Sequence, residues 1–169
     1  MDEIAAQIEP LIPGLRRYAW ALLRDRDAAD DLVQSTLERA LSRWRLRRTN
    51  GDLRAWLFAI ERNLFLDMRR RAIGRAAHVA VETLDALPSP DAGPERALIA
   101  RDALSQLDLL PEDQRSLLLL VGVEDLSYEA AARILDVPVG TIMSRLSRAR
   151  AALRRSAEAG RTAVLRRIK

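Results

Sequence analysis

LSYEAAARILDVPVGTIMSRLSRAR, residues 126–150, holds two helices and the break between them. Ser127 offers a side-chain oxygen to the free N–H groups of the first helix, and Glu129 suits the positive end of its dipole. The helix from Tyr128 to Leu135 turns Ala131, Ile134 and Leu135 inward. Asp136-Val137-Pro138 stops it, because proline lacks the helical donor and keeps the residue before it extended. A second helix runs from about Val139 to Arg155 and beyond. On it Ile142, Leu146, Ala149 and Leu153 fall at i, i+4, i+7 and i+11, a single core-facing stripe. The opposite face carries Gly140, Ser144, Ser147, Arg148, Ala151 and Arg155, with Met143 at its edge. Five arginines and no acid lie between Val139 and Arg155. A short helix, a tight break and a basic second helix that starts with small residues suit entry into a major groove. Arg148 is then placed to reach a guanine edge, and Arg150, Arg154 and Arg155 to hold phosphates. The plain alternative is an amphipathic surface helix.

Outward from this stretch, charge is segregated. Residues 1–42 carry a net charge of −3, residues 43–75 +7, residues 76–138 −8 and residues 139–169 +8. A solvated surface normally mixes signs, so two basic blocks at matching places in two halves point to two contacts on one polyanion. Lys169 is the only lysine, and guanidinium groups suit bidentate contacts to phosphate and guanine. No cysteine is present, which removes disulfides, thiolate zinc sites and thiol catalysis. His78 is the only histidine, so no His-rich metal site can form. Neither a phosphate-binding glycine loop nor a paired-carboxylate signature occurs, which weighs against an enzyme. Asp2, Glu3 and Glu9, with no basic residue before Pro10, are unlike a signal peptide. No run approaches the roughly 18 apolar residues of a membrane span, and a cytoplasmic protein is expected.

The 169 residues suit two small domains, and 49% hydrophobic residues suffice to build their cores. Aromatics are only 4%, so aliphatic packing is expected to dominate. Leu87-Pro88-Ser89-Pro90-Asp91-Ala92-Gly93-Pro94 cannot be crossed by a helix and reads as a linker. Before it, Ile12, Leu15, Ala19, Leu22 and Leu23 form one helical stripe. Asp27 can cap a second helix bearing Leu32, Val33, Thr36, Leu37, Ala40, Leu41 and Trp44. Asn50, Gly51 and Asp52 break the chain, and a third helix carries Leu53, Trp56, Leu57, Ile60, Leu64 and Met68. After the linker, Leu98, Ala103, Leu104 and Leu107 form a further stripe. Pro111 stands near the first position of the next helix, and Ser116 to Val123 reads as buried.

Residues 126–150 resemble region 4 of extracytoplasmic-function sigma factors, and Leu107 with Leu110-Pro111-Glu112-Asp113-Gln114-Arg115 resembles its start. Similar helix-turn-helices end many response regulators, so the N-terminal half supplies the specificity. There, residues 27–37 (DAADDLVQSTL) resemble region 2.2, and residues 54–64 (RAWLFAIERNL) resemble regions 2.3 and 2.4. The likeness covers about residues 11–73 and 97–155.

The resemblance implies an all-α chain of two small helical domains joined by a flexible linker. Their bounds would be 1–75 for region 2, 76–95 for the linker, 96–160 for region 4 and 161–169 for a basic tail. It implies that Asp30, Asp31, Leu32 and Gln34 contact core RNA polymerase. Arg47, Arg48, Thr49 and Asn50, in the loop from Arg45 to Asp52, would meet the −10 element of promoter DNA. Asn63 would hold a flipped base, while Arg69, Arg70 and Arg71 would hold phosphates. Trp56 and Phe58 read mainly as core, with base stacking as the alternative. Met143, Ser144, Ser147 and Arg148 would read the −35 element, with Arg150, Arg154 and Arg155 on its backbone.

Met143 departs from the basic residue common at its place. Arg47 stands where an aromatic often lines the −10 pocket, and Val121 where a basic contact sometimes lies; these departures bear on the promoter sequence. The family further implies an anti-sigma factor as partner, and the residues give no reason to expect a cofactor or a metal. The stretch from Trp56 to Phe65 is similar to the general-stress subgroup of alphaproteobacteria. Two alternatives stand beside this reading: a sigma-like decoy that occupies an anti-sigma factor without reading DNA, and a helix-turn-helix regulator.

Overall fold

The structure, a computed structural model, describes residues 2–47, 51–76 and 105–167. Every regular element among them is a helix, and no strand occurs. The chain divides into two compact units. The first holds α1 (Asp2–Ile8), α2 (Ile12–Leu23), α3 (Arg26–Ser42) and α4 (Leu53–Ala76), with single 3-10 turns at Glu9–Leu11 and Trp44–Leu46. The second holds α5 (Glu112–Leu118), most of α6 (Tyr128–Leu135) and α7 (Val139–Arg167). The proline-rich segment around Pro88, Pro90 and Pro94 lies outside the described residues, as do Leu98, Ala103 and Leu104.

In the first unit α3 packs against both α2 and α4. The stripe on α2 holds, with Leu15, Ala19 and Leu22 buried. The cap of α3 is Asp25, not Asp27: the Asp25 carboxylate accepts from the Ala28 N–H at 2.9 Å. Arg24 ends α2 at φ 59°, the left-handed conformation, and turns the chain so that Asp25 is the extended residue before α3. Asp27 then lies inside the first turn, where its charge complements the dipole. Thr36, fully buried, donates its hydroxyl proton to the Leu32 carbonyl at 2.8 Å. Leu41, expected in the stripe, is 47% exposed.

On α4 the buried face is rotated from the expected one. Leu57, Phe58, Glu61, Arg62 and Phe65 are buried, whereas Met68 is 38% exposed. Residues 53–60 are apolar almost all round, so the sequence pattern admits several faces. Ring contacts decide between them: Tyr18 of α2 meets Phe58 edge-on, centroids 5.4 Å apart. Most of this core is aliphatic, with Leu15, Leu22, Leu32, Val33 and Leu57 buried, but Tyr18, Phe58 and Phe65, each 2% exposed or less, are its largest side chains. The low average hides their concentration: six of the seven aromatic residues precede residue 70.

In the second unit Pro111 stands just before α5 as its N-cap residue. The segment after α5 is only partly buried: Leu119 and Leu120 are core, while Gly122 and Val123 face outward. A π turn at Leu119–Val123 changes the facing of the chain here, with the Glu124 N–H donating to the Leu119 carbonyl at 3.0 Å. Ser127 caps α6, its hydroxyl accepting from the Ala130 N–H at 3.1 Å. Asp136 at φ 55° makes the break before α7. Ile142, Leu146 and Ala149 are buried, and α7 packs against α5. Arg145 of α7 reaches the Asp113 carboxylate of α5 at 3.2 Å, and Arg115 reaches Asp108 at 3.0 Å.

Candidate nucleic-acid and polymerase interfaces

Three surfaces carry the residues that the sequence singled out. The first is the outer face of α3. Asp30, Asp31 and Gln34 are exposed there. Arg16 of α2 holds Asp30 at 3.1 Å, and the Gln34 amide donates to Glu38 at 3.0 Å. Leu32 does not share this face; at 1% exposure it belongs to the core beneath and fixes the helix that presents the acids.

The second surface runs from the Trp44–Leu46 turn along α4. Arg43 and Arg45 are exposed. Arg47 is half-buried, its guanidinium 4.8 Å from the Trp44 ring centre, a cation–π distance. Trp44 in turn meets Trp56 edge-on at 6.2 Å, so Trp56 supports the turn while Phe58 is core. Asp52 caps α4 by accepting from the Ala55 N–H at 3.0 Å. Arg48, Thr49 and Asn50 lie outside the described residues.

Asn63 is exposed on α4, as are Arg69, Arg70 and Arg71 further along. Arg70 pairs with Asp67, and Arg69 lies 6.0 Å from the Phe65 ring centre. The Arg70 hydrogen bond holds the Asp67 carboxyl below its ordinary range; partial desolvation opposes it, and the charges of Arg70, Arg71 and Arg39 add to it. The pair therefore persists at neutral pH. Leu46, 82% exposed between Arg45 and Arg47, is a feature that pattern reading passed over. Its one signal in the sequence is an apolar residue inside Arg43-Trp44-Arg45-Leu46-Arg47-Arg48.

The third surface is the outer face of α7. Gly140, Met143, Ser144, Ser147, Arg148, Arg150, Arg154 and Arg155 are all exposed, and of these Gly140, Ser144, Ser147, Arg148 and Arg155 stand opposite the buried stripe. Met143 is 58% exposed, an apolar group free to meet another. Ser144 donates to the Thr141 carbonyl at 3.0 Å, which leaves its oxygen as an acceptor. A β-carbon on Gly140 would meet nothing within 4 Å, so glycine there leaves room outside the fold and answers no crowding within it. Arg145 is set apart from its neighbours: its tie to Asp113 spends it on holding α7 against α5. Among the described residues no helix is long and apolar enough to cross a membrane.

Residues 8–61 match the family described as the Sigma2 domain of PhyR, and residues 100–153 match Sigma-70, region 4. The chain is 42% identical over 155 residues to the ECF RNA polymerase sigma factor EcfG of Rhodopseudomonas palustris, a span of 90% of this chain and 83% of that one. It is 33% identical over 154 residues to the ECF RNA polymerase sigma factor SigC of Mycobacterium tuberculosis, a span of 89% and 83%. Among solved structures it is similar to the sigma factor RpoE in complex with the anti-sigma factor NepR from Bartonella quintana. There the TM-score is 0.81 and the identity 32%, over 94% of this chain and 98% of that one. Two basic helical surfaces, an acidic helix face and matches at both ends of the chain agree: the protein belongs to the extracytoplasmic-function family of RNA polymerase sigma factors.

Proposed function

We infer that the chain acts without catalysis of its own, in the cytoplasm, as the subunit that brings core RNA polymerase to promoters. Region 2 would span residues 1–75 and region 4 residues 96–160, with 76–95 between them and 161–169 beyond. Asp30, Asp31 and Gln34 dock on the polymerase, an acidic face on a helix held by its buried side. Arg47, Arg48, Thr49, Asn50 and Asn63 meet the −10 element, and Arg69 and Arg70 its phosphates. Met143, Ser144, Ser147 and Arg148 read −35 base edges, while Arg150, Arg154 and Arg155 hold the backbone.

The observation that carries this reading is the outer face of α7. Small polar residues and arginines stand exposed there, opposite a stripe that is 2% exposed or less at Ile142, Leu146 and Ala149. Footprinting of the reconstituted holoenzyme tests it. Protection at both −35 and −10, lost at −35 alone in Ser147→Glu with Arg148→Glu, is the expected result. Protection that survives those changes at −35 contradicts it.

An anti-sigma factor is the expected inhibitor, in a general-stress setting. The likeness to RpoE, solved with NepR, supports this. Residues 8–61 match the Sigma2 domain of PhyR, and PhyR of Bartonella quintana is solved as an anti-anti-sigma factor complexed with the anti-sigma factor NepR, which supports the same partner class. That match also favours the second reading, a decoy that occupies the inhibitor. A decoy needs no DNA-reading arginines, and here they stand exposed on α4 and α7.

A further inference from the structure

Leu46 is the most exposed large apolar side chain among the described residues, at 82%. A single leucine in water is ordinary on a protein surface. What sets this one apart is how firmly it is presented. The Leu46 N–H donates to the Arg43 carbonyl at 2.9 Å, and the Arg47 N–H to the Trp44 carbonyl at 3.2 Å. Trp44 rests on Trp56 of α4, the Arg47 guanidinium lies over the Trp44 ring, and Arg47 also reaches the Gly51 carbonyl at 3.5 Å. The turn is therefore clamped from before and after, and its apolar tip stands between the exposed arginines 43 and 45 and the half-buried Arg47.

The two chemistries ask for one ligand. Arginines gather phosphates, and a leucine gains only from apolar surface. A closed duplex shows little such surface beyond thymine methyls. An unstacked base step shows two base faces directly inside a rim of phosphates. We propose that Leu46 is a wedge that enters the opened −10 stack and fills the place of a displaced base, holding the strands apart. This rests on the reading that the surface from Trp44 along α4 meets −10 DNA.

The test uses holoenzyme assembled from the full chain, with Leu46→Ala, Leu46→Phe and the double variant Arg43→Ala with Arg45→Ala. Open-complex formation is followed by permanganate reactivity on a duplex promoter and on the same promoter with a mismatched bubble across −10. Leu46→Ala is expected to open the duplex about tenfold less, with the deficit shrinking to about twofold on the bubble, because the wedge offsets the cost of unstacking. Leu46→Phe is expected to keep opening, since a larger apolar group fills the same gap. Parental opening of the duplex by Leu46→Ala overturns the proposal. So does a loss matched by weaker binding to core polymerase, which would make Leu46 a protein contact. The double arginine variant separates the two layers: if it loses duplex capture while Leu46→Ala does not, only the wedge fails. If neither variant differs from the parent, the −10 placement itself fails.

Discussion

Arg148 shows what one exposed side chain on a rigid helix can decide. It stands three residues from the partly exposed Arg145 tie and one before the buried Ala149, so its backbone is fixed while its guanidinium is free to reach. Arg148→Ala is expected to cost about 1–3 kcal/mol at a single −35 base pair, seen as relaxed preference when that pair is varied in binding assays. An equal loss on every sequence would make it a phosphate contact. Arg70 is a different case, because Asp67 already holds it. A carboxylate competes with phosphate for the same donors. Asp67→Asn should therefore strengthen −10 binding and steepen its salt dependence by about one phosphate contact. An unchanged salt slope would place Arg70 away from the DNA. Asp30 is also engaged, by Arg16, but both side chains are more than 60% exposed, so the pair contributes little and yields readily to a partner.

At the scale of the element, the helix-turn-helix rests on caps and a narrow stripe. Ser127→Ala removes the acceptor for the Ala130 N–H and should cost about 1 kcal/mol in denaturant unfolding of the second unit. Ile142→Ala, at a site with no exposure, should cost about 2–5 kcal/mol. Values near zero for both would mean that α6 and α7 are held by something other than this cap and this stripe. These features were legible in the sequence because each depends on near neighbours: a serine three residues before the N–H it serves, and apolar residues at helical spacing. The cap of α3 was less legible. Asp25 and Asp27 are chemically the same, and only the left-handed Arg24 decides which one is extended. The buried face of α4 was hidden for a related reason. An almost wholly apolar first half has no unique face until Tyr18, from another helix, chooses Phe58. The Arg145–Asp113 tie joins residues 32 apart in the chain, and no local pattern announces it. Leu46 was missed because exposure is a property of the folded turn and not of the residue type.

Across the whole molecule the telling pattern is charge set against partner. The acidic N-terminal block of residues 1–42 holds the proposed polymerase face, and the basic blocks of 43–75 and 139–169 hold the proposed DNA faces. Asp30→Arg with Asp31→Arg reverses the first without touching any core side chain, since both residues are exposed. That variant should fold as the parent does by circular dichroism and thermal melting, yet fail to bind core polymerase. Unchanged core affinity would move the docking site elsewhere. The central claim is that one chain both engages polymerase and selects where it starts. Run-off transcription with cognate core, on promoters of the transcripts that rise when this protein is overproduced, measures that claim directly. Added protein should produce discrete start sites that vanish with Ser147→Glu and Arg148→Glu; silence on every such template, with core binding intact, would contradict it and leave the decoy reading in its place.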